Sequence, residues 1–342
     1  MPTQFFFTMS KQKALFIYTR LSTFVKGDLD ILSEAFSVTT LQVNNTSQSK
    51  QLLSLIRQLF FLLFNIRKYD FVYIWFADYH SFLPILFSKL AGKRSYLVIG
   101  GYDVCRIKKV RYGSFVNPIR GYCARFSMSN ATLCLCVSNH IERIVRFISK
   151  NANTKVVYNC VTLKDETPYE LPSSGILSVT IAASTQSIYV KGVDRIIALA
   201  GVMQEVPFTL IGVDKTIVES ICGPTPSNLT IVDRIAHEEL ISYYKRSKVY
   251  CQMSRSESFA LSLAEAMYYN CIPVVANTGG MPEVTGGLGY IVDANDIDIC
   301  VKTLYKALEH KSSGEYRKVI REKFSVSERE ASLKELICPN IK

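Results

Sequence analysis

Short, almost continuously apolar runs alternate with stretches of helical length along the whole chain, and this alternation most constrains the fold. Residues 14–18, 38–43, 71–76, 95–99, 133–137 and 155–158 read as strands, as do 177–182, 208–211, 230–232, 249–252 and 272–276. Between them, helical patterns cover 28–36 (with Asp28 as N-cap), 50–67, 80–91 and 138–149, then 192–203, 238–245, 259–269 and 297–309. Strands that are apolar on both faces need helices on both sides, and strands alternating with helices predict parallel sheets. A polar stretch at 162–175 contains Pro168, Pro172, Ser173, Ser174 and Gly175, and it reads as a linker. The expected architecture is α/β, with two facing Rossmann-like lobes of parallel sheet and a cleft between them. The first lobe is expected over residues 1–163 and the second over 164–312. Residues 313–342 are expected to carry a helix, near 315–336, back to the first lobe. In such sheets ligands bind beyond the carboxyl ends of the strands.

Composition narrows the partners. A length of 342 residues suits about two domains, and 48% hydrophobic residues suffice for two cores. The net charge of +11, from 40 basic and 29 acidic residues, favours nucleic acid, an anionic membrane surface or a phosphorylated substrate. No nucleic-acid-binding module or aromatic–basic array is present, so nucleic acid is not an expected partner. Ten cysteines are scattered, and only Cys134 and Cys136 lie close, at a spacing unlike zinc sites. They read as reduced, mostly buried thiols of a cytoplasmic chain. The apolar start, Phe5-Phe6-Phe7, is too short for a signal peptide. The most apolar region, 52–66, is interrupted by Arg57 and Gln58 and falls short of the roughly 20 residues of a spanning helix. It reads as a core helix, or else as a helix resting on an anionic membrane through Arg57, Arg67 and Lys68. His140, His237 and His310 form no cluster, and the Asp-x-Asp pairs at Asp28/Asp30 and Asp296/Asp298 fall at expected helix starts, so neither metal nor cofactor is expected. No Gly-x-Gly-x-x-Gly follows a strand, which argues against a dehydrogenase.

The richest segment runs from Ser254 to Glu283. Glu257 lies in the loop after a strand, just ahead of an expected helix. The amides of Phe259, Ala260 and Leu261 are therefore expected to point unpaired toward a ligand, and a helix N-terminus suits phosphate or sugar oxygens. Glu265 lies about two turns further along. The segment holds Glu257, then Glu265-Ala266-Met267, the strand Pro273-Val274-Val275, and Gly279-Gly280-Met281-Pro282-Glu283. It resembles the donor-binding signature of the retaining GT-B glycosyltransferases of family 4, the glycosyl transferases group 1. Lys191-Gly192 resembles the family's Lys-Gly motif, and Leu210-Ile211-Gly212 its strand ending in glycine. Val157-Tyr158-Asn159-Cys160-Val161 resembles the stretch closing the first lobe, and Val137-Ser138 a Val-Ser before a helix.

The resemblance implies a GT-B fold and sugar transfer from a nucleotide-sugar donor to a glycan or lipid-linked acceptor, with retention, in surface polysaccharide biosynthesis. Glu257 would lie beside the donor sugar, Glu265 would hold the ribose, and Lys191 would contact the diphosphate. The amides of Phe259, Ala260 and Leu261 would hold sugar hydroxyls or diphosphate, with Gly212 among the donor-binding residues. Gln186 stands where many members carry a diphosphate-binding arginine, and Arg195 is a substitute to test. Where members often have His-Gly, this chain has Gly100-Gly101-Tyr102-Asp103. The glycines let backbone approach a ligand, and Asp103 is expected either to point into the cleft as a catalytic-site residue that binds acceptor or donor sugar, or else to cap the turn. His80, after the third strand, is expected to line the cleft or to be structural. Gly27, in the loop after the first strand, is expected to pass near the phosphates. Rival readings are a nucleotide-sugar epimerase of similar scaffold and a non-catalytic scaffold protein. The enzyme is expected at the inner membrane face as a peripheral protein.

Overall fold

The computed structural model describes residues 11–44, 48–162, 174–311 and 314–338, with Gln48 described by its backbone alone. Phe5–Phe7 and most of the expected linker, with the 163/164 boundary, lie outside the described residues. Two compact units emerge: Met1–Arg106, Gly113–Cys136 and Glu142–Val156 form one, and Ile107–Tyr112, Val137–Ile141 and Val157–Lys342 the other.

The first unit is built on a six-stranded sheet in the order β2-β1-β3-β4-β5-β6. Its strands are β1 (Lys13–Tyr18), β2 (Ser37–Gln42), β3 (Phe71–Trp75), β4 (Arg94–Ile99), β5 (Leu133–Cys136) and β6 (Thr154–Val156). All five pairings are parallel. Every residue of β3 is buried, as a central strand covered by helices on both faces requires. The first helix begins earlier than the sequence pattern predicts, at Thr23 rather than beyond Asp28. Asp28 is no cap: it lies on the buried face with Val25, Ile31 and Leu32, where the Tyr73 hydroxyl donates to it at 2.6 Å. Tertiary packing overrides the weak helix propensity of Gly27. A helix the apolar pattern does not announce, Pro118–Asn130, is started by Asn117, whose side chain accepts from the amides of Ile119 and Arg120. Asparagine followed by proline is a helix-start signal of its own.

The second unit carries another six-stranded parallel sheet, ordered β12-β11-β10-β7-β8-β9. Its strands are β7 (Ile176–Ala182), β8 (Phe208–Val213), β9 (Leu229–Val232), β10 (Val249–Gln252), β11 (Ile272–Ala276) and β12 (Tyr290–Val292). Counted from β7, this is the doubly wound order 3-2-1-4-5-6, whose direction reverses between β7 and β10. The carboxyl ends of those two strands are therefore where this unit offers a crevice. The helix Leu261–Tyr268 is followed by Asn270 at φ 59°, the left-handed residue expected there in place of glycine. The expected C-terminal helix is two, Glu315–Lys323 and Val326–Ile337, restarted by the Ser325 hydroxyl accepting from the Glu328 amide. Within this unit Arg329 donates to the carbonyls of Val157 and Tyr158.

Candidate active site

At the switch point, β10 runs fully buried to Gln252, and a loop then leads to the helix Leu261–Tyr268. Glu257 sits in that loop. Its Oε2 accepts from Lys191 Nζ at 2.7 Å and from Gln252 Nε2 at 3.0 Å, and its Oε1 accepts from the Ser258 amide at 3.2 Å. Lys191 is the last residue of a short helix, Thr185–Lys191, that the sequence pattern does not predict. Its start is written locally: Ser184 and Ser187 form a reciprocal capping box. Its end is set by Gly192, at φ 68°, where a Cβ would stand 2.0 Å from the Met253 carbonyl oxygen. The Lys-Gly pair thus brings the end of one helix against the strand end that supplies Glu257.

The Gly279-Gly280 pair does the same from the other side. A Cβ on Gly279 would stand 1.7 Å from the Glu257 carbonyl oxygen, and one on Gly280 2.2 Å from that of Ser258. The Gly280 amide donates to the Glu257 carbonyl at 3.2 Å. Only hydrogen fits, so these glycines set the height of the Glu257 loop.

The helix behind the loop starts at Ala260, which holds a left-handed φ of 71°. Such a conformation costs an ordinary residue about 1–2 kcal/mol. Among the described residues, the amides of Phe259, Ala260 and Leu261 have no acceptor. The Phe259 ring is buried, 5.2 Å from Phe324 and 6.1 Å from Tyr158, and anchors the turn. Glu265 is held by His237 Nε2 at 3.0 Å and by the Tyr244 hydroxyl at 2.9 Å. Burial and the neighbouring carboxylate push the Tyr244 hydroxyl well above its ordinary pKa, so it remains a donor. The sequence offered His237 no partner. Its role as a neighbour of Glu265 arises because the helix His237–Arg246 packs there. Gly212, at φ 93°, adjoins a register irregularity between β7 and β8, and a Cβ there would stand 2.2 Å from the Thr180 carbonyl oxygen. Close strand packing accounts for this glycine.

Two arginines near Lys191 are engaged. Arg255 makes a bidentate pair with Asp194 at 2.7 Å and stacks over the Tyr189 ring. Arg195 donates to the Met253 carbonyl and to Asn295. Both line a cavity of about 420 Å³ with Asn277, Thr278, Asp293 and Asn295. Gln186 is exposed on the short helix. Glu283, from the Gly-Gly-x-Pro-Glu motif, accepts from the amides of Asn139 and His140 at 2.8 and 2.7 Å.

The other expected site residues lie in the first unit; the expectation for Gly27 is corrected, and His80 and Asp103 take the structural one of the two roles expected for each. Gly27 is inside the helix Thr23–Ala35, not in a loop. His80 is buried on the helix Tyr79–Leu90, its Nε2 donating to the Trp75 carbonyl at 2.8 Å. Burial lowers its pKa, so the ring is a neutral structural donor. Asp103 turns inward, where it accepts from the amides of Gly101, Ala77 and Gly100 at 2.7, 3.1 and 3.2 Å. It ties the Gly100-Gly101 turn to the end of β3. Gly100 has its own reason to be glycine, since a Cβ would stand 2.2 Å from the Phe76 ring.

Asp103 makes a pH-dependent contribution. Burial raises its pKa from 3.8 to about 6, against the opposing pull of the three amides. The folded state then holds more proton than the unfolded one between those values. Stability should therefore fall as pH rises from 4 to 6, by on the order of 3 kcal/mol if the whole gap is realised. Denaturant titrations across that range should show this slope in the wild type and a flatter one in Asp103→Asn. Equal slopes would place the titration elsewhere.

Among the described residues, no group of three or more His, Cys, Asp or Glu side chains is placed to hold a metal ion. No helix among them is long and apolar enough to cross a membrane.

Residues 181–324, which contain Lys191, Glu257, Glu265 and the Gly-Gly pair, match the family model for glycosyl transferases group 1. No curated protein matches the chain by sequence. Among solved structures, a sucrose-phosphate synthase from Thermosynechococcus elongatus superposes with a TM-score of 0.74 at 15% identity, covering 96% of this chain and 98% of that one. A lipopolysaccharide outer core galactosyltransferase in its apo form gives 0.68 at 15%, covering 96% and 100%. An Anabaena protein in complex with UDP and glucose gives 0.66 at 14%, covering 95% and 99%. At such identities the superpositions establish a shared fold over the whole length, while the matched segment carries the family. The matched segment is a glycosyl transferases group 1 domain within the second unit, and the chain is a glycosyltransferase of GT-B type.

Proposed function

We propose that this enzyme transfers a sugar from a nucleotide-sugar donor, with retention of anomeric configuration, to a glycan or lipid-linked acceptor in surface polysaccharide assembly at a cytoplasmic membrane face. The observation that carries this reading is the meeting of Lys191 and Glu257 at the unpaired end of the helix Leu261–Tyr268. An ammonium, a carboxylate and a row of N–H donors suit a ligand that bears both anionic oxygens and hydroxyls. The diphosphate falls to Lys191 and the amides of Phe259, Ala260 and Leu261. Lys191 then exchanges Glu257 for phosphate oxygens, which leaves the Glu257 carboxylate to accept from a sugar hydroxyl. Glu265, oriented by His237 and Tyr244, takes the ribose hydroxyls. The UDP and glucose of the similarly folded Anabaena structure agree with a donor of this class.

In the transfer, the bond from the anomeric carbon to the diphosphate oxygen breaks. The acceptor oxygen bonds to the same face of that carbon, and its proton passes to the departing oxygen. Negative charge grows on the diphosphate, and donors already aimed at it stabilise that charge. Lys191 and the amides perform this task without a divalent cation.

A panel of nucleotide sugars tests the donor, because a bound donor raises Tm. With the donor found, turnover should persist in EDTA and the product should keep the donor's anomeric configuration by NMR. A hydrogen bond to a charged group is worth about 1.5–3 kcal/mol, so Lys191→Ala and Lys191→Gln should each lower kcat at least about tenfold. Near wild-type turnover in both folded variants would assign the diphosphate to another cation, and an inverted product would overturn retention.

A further inference from the structure

The helix Gln48–Asn65 exposes most of its apolar side chains. Its buried side holds Leu62 together with the polar Gln58, whose amide donates to the His80 carbonyl at 2.9 Å. Its solvent side carries Leu52, Leu53, Ile56, Phe60, Leu63 and Phe64, with Leu53 and Phe64 exposed to 69% and 73%. Leu52, Ile56 and Leu63, with Leu59 between, recur at helical spacing, and Leu53, Phe60 and Phe64 flank them. They form one continuous stripe rather than scattered apolar residues. A soluble surface rarely exposes such a stripe, and one that does marks an interaction site.

Charge identifies the occupant. The helix contains no Asp or Glu, and Arg57, Arg67 and Lys68 are exposed on it and at its C-terminal end. The asymmetry extends to the whole unit. The first unit holds eighteen Lys and Arg against seven Asp and Glu, a net of +11, whereas the second balances 22 against 22. The entire excess charge of the protein thus lies on the unit that exposes the apolar stripe. An apolar face beside cationic side chains, on a helix unable to span a bilayer, is the chemistry of a helix lying in an anionic lipid interface.

We propose that the helix Gln48–Asn65 docks the first unit on an anionic bilayer, its apolar stripe seated between headgroups and acyl chains and its cations on lipid phosphates. This rests on the proposed membrane-face acceptor and specifies the surface that meets the membrane. The protein keeps its acceptor chemistry at the lipid boundary by holding on to it through its cationic unit rather than through the charge-balanced donor-binding one.

Vesicle co-sedimentation without donor or acceptor tests this independently of turnover. The full chain should partition onto phosphatidylglycerol vesicles at low salt, and far less onto phosphatidylcholine. Binding should weaken as salt rises, since the screening length shortens from about 10 Å at 0.1 M to about 3 Å at 1 M. Leu53→Ser/Phe60→Ser/Phe64→Ser and Arg57→Glu/Arg67→Glu/Lys68→Glu should each reduce partition on the order of a hundredfold. All six side chains are exposed, so circular dichroism and the nucleotide-induced Tm rise should be unchanged. Reversing Lys215, Lys302 and Lys318, exposed on the second unit, should leave partition nearly intact. Equal binding by all variants, or none by the wild type, would overturn the proposal. Self-association in the absence of lipid, abolished by the three serines, would assign the stripe to a second copy instead. Loss of vesicle binding with transfer to a soluble acceptor intact would leave the donor chemistry standing.

Discussion

Glu257→Ala is expected to lower turnover by on the order of a hundredfold or more while leaving the fold in place, because small displacements in a reacting geometry cost about that much. Glu257 is the point where three elements converge: Lys191 from a helix end, Gln252 from β10 and the Ser258 amide from its own loop. Removing it strands little. Gln252 keeps the Ser254 hydroxyl at 3.3 Å, and Lys191 is accessible enough to be solvated. The loss should therefore appear in kcat rather than in Tm. Glu257→Gln, which keeps reach but not charge, separates hydrogen bonding from electrostatics. Steady-state kinetics alongside circular dichroism decides, and wild-type turnover in a folded Glu257→Ala would remove this residue from the chemistry.

Gly279→Ala should be damaging without touching any functional side chain. It must hold φ 65° and place a carbon 1.7 Å from the Glu257 carbonyl oxygen. Left-handed strain and overpacking together cost about 3 kcal/mol or more, which lowers Tm by several degrees in a domain of this size. The Glu257 loop must move to relieve the clash, so kcat should fall in step. Gly27→Ala is the control: its Cβ position is open within a helix, and alanine there should be neutral or stabilising by up to about 1 kcal/mol. If Gly279→Ala matches Gly27→Ala in Tm and wild type in kcat, the glycine pair does not set the loop.

Local pattern made the sheets legible. Apolar runs such as Phe71–Trp75 and Ile272–Ala276 are strands because their side chains face helices on both sides, and that requirement is written in consecutive residues. Caps were legible where a short polar signal exists. Ser184 with Ser187, Asn117 with Pro118, and Asp214 before Lys215–Cys222 start helices, and attention to the capping residues alone would have found them.

By itself the sequence determined which residues stand in the pattern of a donor-binding signature: Glu257 and Glu265, Lys191-Gly192, and Gly279-Gly280. That is a local pattern of residue types and spacings. What only the tertiary structure decided is direction. Lys191 meets Glu257 across 66 positions, and His237 meets Glu265 across 28, because the reversal between β7 and β10 gathers those loop ends. Asp103 and His80 turn inward because backbone groups, the amides of Gly100, Gly101 and Ala77 and the Trp75 carbonyl, are there to receive them. The apolar helix Gln48–Asn65 turns its stripe outward because Leu62 and Gln58, the latter donating to the His80 carbonyl, take the side that packs on the unit. Periodicity states that a helix has an apolar face, but only the surroundings of that helix state which way the face looks.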